Sequence, residues 1–263
     1  MRNKILILIS LFLLLIFIIT VWPDDKYRII FCDVGQGDGV LISHKNTQML
    51  VDTGAENKKM LSCLENFVPF WDRKIEAVVV THWDEDHAGG IRDILKSYKI
   101  DSVYSSSKPK GKFEQINYST NLAQNDLIKF GLISFEILSP EENEENGGLD
   151  NNDMSVVGLL SYKDKKFLLT GDAPSSVEDK IAWRILQNRM NRKIDVLKVS
   201  HHGSDTATSE DLLKVIQPQI AVISVGKNNK FGHPKDQVLK NLEKYGVTIK
   251  RTDIQGNIVF DLN

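Results

Sequence analysis

The stretch T-H-W-D-E-D-H-A-G-G, Thr81 to Gly90, limits most tightly what this chain can become. His82, Asp84, Asp86 and His87 crowd four side chains able to bind a metal into six consecutive positions. They follow the apolar, β-branched run Ala77-Val78-Val79-Val80, which reads as a buried strand. Gly89-Gly90 then gives way to an amphipathic pattern, Ile91, Ile94, Leu95 and Tyr98. The cluster is therefore expected on a strand-to-helix loop, where several side chains can point at one centre; a continuous helix or strand would spread these offsets over different faces. A solvated acidic turn with two incidental histidines is the competing reading.

Other stretches share this layout. Five of the six histidines, His82, His87, His201, His202 and His233, lie just after apolar strand-like runs, and Asp172 does too; His44 alone does not. Side chains at the same end of packed strands converge on one surface, so the set argues for a shared site better than any member does. Asp33, Asp38 and Asp52 stand on turns after earlier strands and are expected to be structural, capping loops and holding the ligands from behind. The turn D-V-G-Q-G-D-G opens no helix with a G-x-G-x-x-G spacing, which argues against a dinucleotide site.

The N-terminus has a different composition. After Met1-Arg2-Asn3-Lys4 comes an apolar run from Ile5 to Trp22 broken only by Ser10 and Thr20. As a helix it would reach about 27 Å, enough for a bilayer core. Arg2 and Lys4 predict a cytoplasmic start and an exported remainder. An uncleaved membrane anchor over residues 1–24 is favoured, since no small-x-small cleavage site precedes Pro23; a cleaved signal peptide, giving a secreted protein, is the alternative. Residues 25–263 make the second unit. Cys32 and Cys63 would then face an oxidising exterior, but Cys32 lies in a strand-like run and Cys63 in a helix-like one, so two buried thiols are expected rather than a disulfide.

The formal net charge of −2 gives no general attraction to nucleic acid. A polyanionic substrate would depend on bound metals or on a local basic patch, and Lys108, Lys110 and Lys112 form the one conspicuous basic cluster.

The motifs together carry a resemblance. The Thr81–Gly90 stretch is similar to the H-x-H-x-D-H signature of the metallo-β-lactamase superfamily, with Asp84 in place of the second histidine. D-V-G-Q-G-D, V-D-T-G, N-N-D-M-S, L-L-T-G-D, L-K-V-S-H-H-G-S, the S-V-G to G-H-P stretch and R-T-D-I-Q-G, in that order, resemble the hydrolase domain of ComEC-type competence proteins. The resemblance implies an α/β fold, the four-layer αββα sandwich, here preceded by the hydrophobic helix. It implies two divalent ions, Zn²⁺ or Mn²⁺, at one edge. His82 and Asp84 would hold one ion, Asp86 and His87 the other, and Asp172 would bridge them. One of His201 and His202 would complete the second ion's ligand set, while the other meets the substrate's phosphate or the leaving group. Asp86 or Asp172 would orient a metal-activated water, and His233 would donate to a phosphate oxygen or the leaving group. No histidine lies between His87 and His201, so Asn151, Asn152 or Asp153 stands where the family's third motif has one. The expected reaction is hydrolysis of a phosphodiester, with single-stranded or degraded DNA the leading substrate. A phosphorylcholine-esterase-like envelope hydrolase and a non-catalytic DNA-binding module of an uptake apparatus are the alternatives.

Overall fold

The computed structural model describes residues 2–21, 24–142, 151–187 and 193–262, the side chains of 2, 13–21 and 120 excepted. Helix α1 (Arg2–Val21) comes first, then strands β1 (Tyr27–Phe31), β2 (Gly39–His44) and β3 (Thr47–Thr53), helix α2 (Lys59–Phe67) and β4 (Lys74–Val80). Two single-turn helices, α3 (Glu85–Ala88) and α4 (Ile91–Ile94), precede β5 (Lys99–Ser105), β6 (Thr120–Asn121), β7 (Leu127–Phe130), β8 (Ile133–Ser139), β9 (Val157–Tyr162) and β10 (Lys165–Leu169). The chain continues through α5 (Ser175–Gln187), β11 (Val196–Lys198), α6 (Glu210–Ile216), β12 (Ile220–Ile223), α7 (Asp236–Lys244), β13 (Thr248–Arg251), α8 (Thr252–Gln255) and β14 (Ile258–Leu262).

Among the described residues these strands form two mixed seven-stranded sheets, ordered β14-β1-β2-β3-β4-β5-β6 and β13-β12-β11-β10-β9-β8-β7. Alternation along each strand explains the layering. Ile29, Phe31, Val40, Ile42, Met49, Val51, Ala77 and Val79 turn one way, into a core shared with Phe135, Leu160, Phe167 and Val222 of the second sheet. Their neighbours Ile30, Cys32, Leu41, Leu50, Val78 and Val80 turn the other way, against α2 and α4. Leu168, Leu197, Ala221 and Ile223 likewise back onto α5, α6 and α7. A strand covered on both faces has no polar side to show, which is why Ala77–Val80 is apolar without interruption. The result is the helix-sheet-sheet-helix α/β arrangement that the resemblance implies.

Strands β3, β4 and β5 are parallel, as are β10 to β13, so the carboxyl ends of each set share an edge of their sheet. The loops after β4, β10, β11 and β12 carry His82, Asp172, His202 and His233. The expected helix after Gly90 is shorter than its apolar pattern suggests, and helical geometry starts earlier, at Glu85. Asp86 and His87 thus sit on a helical turn rather than on a loop. The acidic stretch 143–150 lies outside the described residues.

The cysteines are not separate thiols: Cys32 and Cys63 form a disulfide, with Cα atoms 5.9 Å apart. Helix α2 packs on the outer face to which the end of β1 turns Cys32, so a strand residue and a helix residue meet across layers that the chain order does not reveal. As for the N-terminal segment, among the described residues no helix is long and apolar enough to cross a membrane. The side chains of 13–21 and the end of the run at Trp22 lie outside the described residues.

Glu178, a buried carboxyl on α5, ties the layers to the edge: it accepts hydrogen bonds from the Ser200 hydroxyl (2.7 Å) and the Ser209 amide (2.7 Å). Burial pushes its pKa up to about 7 from 4.5, against the opposing pull of those hydrogen bonds. The unfolded chain therefore loses this proton well before the folded one, and stability is lost as pH rises from about 4.5 through 7. Glu178→Gln cannot ionise and can keep both partners, so between pH 5 and 8 its unfolding free energy should improve relative to the wild type by on the order of 2 kcal/mol, read from urea midpoints. Separately, Cys63→Ser should lower stability by about 2–4 kcal/mol in the same assay, because the 31-residue separation closed by the disulfide opens in the unfolded state.

Candidate metal centre

The centre begins with Asp52 at the end of β3. Its carboxylate accepts hydrogen bonds from the Thr81 amide (2.8 Å) and the Thr81 hydroxyl (2.7 Å), which locks the end of β4 beside β3. The same carboxylate accepts from Nδ1 of His87 at 2.8 Å. That contact sets the tautomer and aims Nε2 into the gap between the sheets. His82 points Nδ1 at the Thr81 hydroxyl (3.0 Å), and His202 donates Nδ1–H to the Ser224 carbonyl (3.0 Å). Three buried imidazoles are thus held from behind with Nε2 forward.

Those forward atoms lack hydrogen-bond partners. Nε2 of His82, His87 and His202 and Oδ1 of Asp172 are all buried and unsatisfied. Oδ2 of Asp172 lies 3.3 Å from Nε2 of His87 and 3.4 Å from Nε2 of His202, and Oδ2 of Asp86 lies 3.4 Å from Nε2 of His202. Ligand atoms about 2.1 Å from one ion at a tetrahedral angle sit about 3.4 Å apart, so these separations are those of atoms facing a shared cation. Among the described residues four sets of such atoms fall within 4.8 Å of one another: two, His82, His87 and Asp172, and Asp86, His87 and His202, face the gap, and two run through Asp38 behind them, with Asp52 and His87 and with Asp172 and His202. The donors are imidazole nitrogens and carboxylate oxygens, a mixture suited to Zn²⁺ or Mn²⁺.

The remaining expected residues lie around this core. Asp84 is partly exposed, 3.6 Å from Nε2 of His82, and its other oxygen accepts a hydrogen bond from the Asn151 amide at 2.9 Å. That contact puts the N-N-D segment beside the first ligand set. His202 is the buried member of its pair, whereas His201, 30% exposed, reaches Asp172 at 3.7 Å from the rim. His233 stands farther out, its ring 5.9 Å from that of His201, with a buried and unsatisfied Nδ1.

Local backbone geometry makes the convergence possible. His201 and His202 both adopt left-handed conformations, φ 49° and 56°, which send one ring to the rim and the other inward. Such conformations cost about 1 kcal/mol each and persist where surroundings hold them. Gly203 follows at φ +83°, and a side chain there would strike Pro234 at 2.6 Å, so glycine lets the His233 loop close onto the histidine turn. Gly37 does the same on the other sheet: a Cβ would meet the Asp86 carbonyl at 2.1 Å. The adjacent Asp38 amide donates to that carbonyl at 3.0 Å.

Lys198 belongs to the centre by position, and strand patterning hides it. Its side chain is 2% exposed; the ammonium pairs with Asp38, donates to the Gly171 carbonyl at 2.8 Å and lies 3.9 Å from Oδ1 of Asp172. A lysine inside the apolar run Val196-Leu197-Lys198-Val199 is the available signal, because a buried ammonium must find a carboxylate. Asp33, by contrast, stays peripheral, pairing with Lys59 at 3.2 Å.

Electrostatics follow from this packing. Burial alone would raise the Asp172 carboxyl, yet the charges of His202 and His87 hold it well below the ordinary value. Asp86 is lowered similarly: burial would raise it, but the nearby imidazoles of His202 and His87 outweigh that. Burial opposes protonation of His87 and His202, but Asp172 raises both, aided by Asp52 and Asp38 respectively. Asp38, Asp52, Asp84, Asp86 and Asp172 outnumber the single lysine, so the centre carries an excess of negative charge that divalent cations would offset.

Comparison with known proteins agrees with this layout. The chain is 29% identical to ComE operon protein 3 of Bacillus subtilis over 93% of its length and 34% of that protein. It is 34% identical to Recombination protein 2 of Haemophilus influenzae, over 86% and 28%. Both relatives are ComEC-type competence proteins, and the chain spans about a third of the length of these curated relatives. Among solved structures, the metallo-beta-lactamase fold protein YhfI from Bacillus subtilis superposes with a TM-score of 0.61 at 12% identity, over 90% of this chain and 100% of that one, a likeness of fold. The family model for the metallo-beta-lactamase superfamily matches residues 32–227, a span that holds all but the outermost histidine of the centre, and the chain belongs to that superfamily.

Proposed function

We propose that this protein is an exported, membrane-tethered phosphodiesterase or nuclease that uses a metal-activated water, with single-stranded or degraded DNA as its substrate. The observation that carries the reading is the convergence of three partnerless imidazole Nε2 atoms on the Asp172 carboxylate. One ion would be held by His82, Asp84 and Asp172, the other by Asp86, His87, His202 and Asp172. Divalent ions held by such a set would lower the pKa of bound water and offset charge on the attacked phosphoryl group. Asp52 keeps His87 in the ligating tautomer, and Asp86 orients the attacking water. His201, at the rim, contacts the phosphoryl oxygens. Burial lowers the His233 pKa, so its neutral ring gives a hydrogen bond to the leaving oxygen.

Export and tethering rest on Arg2 and Lys4 preceding the apolar run, and the Cys32–Cys63 disulfide supports an oxidising compartment. One observation favours a second reading, a DNA-binding module without turnover: Asn151, from the segment where the resemblance would put a third histidine, hydrogen-bonds Asp84 and offers no imidazole to the first ion.

The test is turnover of bis(4-nitrophenyl) phosphate and a labelled DNA strand by the full chain with added Mn²⁺ or Zn²⁺. Asp172→Ala and His202→Ala should each lower kcat/KM by at least about 100-fold, more than is typical of residues that merely orient a ligand. DNA binding without turnover in any divalent ion would select the binding module. Asp52→Asn should weaken metal affinity by about 10–100-fold, measured by competition with a chromogenic chelator, because the His87 imidazole loses its anionic partner.

A further inference from the structure

The loop from Gly226 to Lys235, at the His233 side of the centre, is unusually well fixed for a surface segment that exposes a large apolar ring. Asn229 braces it: its carbonyl oxygen accepts from the Phe231 amide (3.2 Å) and the His233 amide (3.0 Å). Its amide donates to the Gly226 carbonyl (3.0 Å) and the His233 carbonyl (2.7 Å). Lys235 adds a hydrogen bond to the Phe231 carbonyl at 2.8 Å. On this braced loop Phe231 remains 48% exposed. Its ring stacks on His233, centroids 5.7 Å apart and planes 25° from parallel. His233 meets His201 edge-on at 5.9 Å, and His201 lies 3.7 Å from Asp172, so a continuous line of rings runs from the centre to the phenyl group.

Cations accompany that ring. The flexible Lys230 side chain holds its ammonium over the Phe231 face, 5.1 Å from the centroid, where an incoming base would displace it, and Lys227 is exposed on the same loop. Contacts between the sheets set the loop after β12 against the end of β1, through the Gly226 amide and the Gln36 side chain at 3.2 Å, and the end of β4 against the start of β9, through the Val156 amide and the Thr81 carbonyl at 3.0 Å. Strand β5 lies beyond β4 from β1, so the basic loop after β5 is the other bank of the same edge. There the Ser107 carbonyl accepts from the Trp83 indole at 2.8 Å, which fixes the loop beside the ligand stretch. Lys108 and Tyr118 line a cleft of ≈ 410 Å³ on that bank, and Lys108 and Lys110 make no ion pair among the described residues. An exposed, preorganised aromatic ring with ammonium groups free of carboxylate partners on both sides of the proposed metal centre has the makings of a single-stranded nucleic-acid track, where rings stack on bases and cations follow the backbone.

We infer that Phe231 is a base-stacking platform for an unpaired nucleotide flanking the scissile phosphate, and that Lys227 and Lys230 on its bank and Lys108 and Lys110 on the other hold the adjoining phosphates. This gives the single-strand preference of the proposed phosphodiesterase its own residues and rests on that reading only for where the scissile bond lies. A duplex keeps its bases stacked on one another, so the platform selects single strands.

The test is fluorescence anisotropy of a labelled dodecathymidylate titrated with the full chain in detergent, in Ca²⁺, with variants compared at about 0.1 M salt and the wild type and double-lysine variant also followed across a salt series, alongside KM and kcat in Mn²⁺. Phe231→Ala should weaken binding by about 10-fold and raise the oligonucleotide KM rather than lower kcat, while Phe231→Trp restores the affinity. Replacing both Lys227 and Lys230 by alanine should flatten the plot of log affinity against log salt by about 1.4. Wild-type affinity unchanged in Phe231→Ala, no binding of the strand by the wild type, or equal competition by a duplex would each overturn the inference. Binding that depends on Phe231 with turnover of neither ester in any ion would uphold the platform and defeat the phosphodiesterase reading, which keeps the two separable.

Discussion

The Asp52 carboxylate is the contact on which the rest of the centre depends. It caps the end of β4 through the amide and hydroxyl of Thr81 and receives Nδ1 of His87, six residues further on. One buried anion therefore fixes the start and the end of the ligand stretch relative to each other and to the neighbouring strand. Without it, the chain reversal from β4 into α3 would leave His87 free to rotate and an amide unsatisfied in the core. The side chain sits at φ 58°, a left-handed conformation that aspartate tolerates better than most residues and that the double hydrogen bond from Thr81 stabilises.

A second layer of charge lies behind the first. Lys198 balances Asp38 and approaches Asp172, while Asp38 also faces the Nδ1 atoms of His202 at 3.4 Å and His87 at 3.7 Å. Burying so many ionisable groups is costly unless each is paired. Their mutual pairing explains why they are packed as a block, reached through loops that belong to both sheets. The inner core, apolar throughout, supplies the rigid floor from which those loops rise.

Much of this was legible in the residues. The unbroken apolar runs predicted strands covered on both faces, and the recurrence of His and Asp just beyond them predicted a common edge. Gly37 and Gly203 each stand where another chain segment passes too close for a Cβ, which gives the D-V-G-Q-G-D and S-H-H-G motifs a mechanical reason for their glycines. Less legible was anything that depended on facing across layers. Lys198 read as one more strand position, and Cys32 and Cys63 read as unrelated thiols. The apolar pattern after Gly90 suggested a longer helix than two glycines and a tight return to β5 allow.

From sequence alone came the α/β class, the strand-end placement of the histidines and aspartates, and the kinship with metal-dependent hydrolases, because side-chain period and motif order are local properties that survive without coordinates. Tertiary structure alone decided that His202 faces inward and His201 the rim, that Lys198 neutralises Asp38, that Cys32 joins Cys63, and that Phe231 stands exposed beside His233. Each of these is a relation between segments distant along the chain, set by how two sheets and their outer helices pack, and no local pattern of residues encodes such a distance.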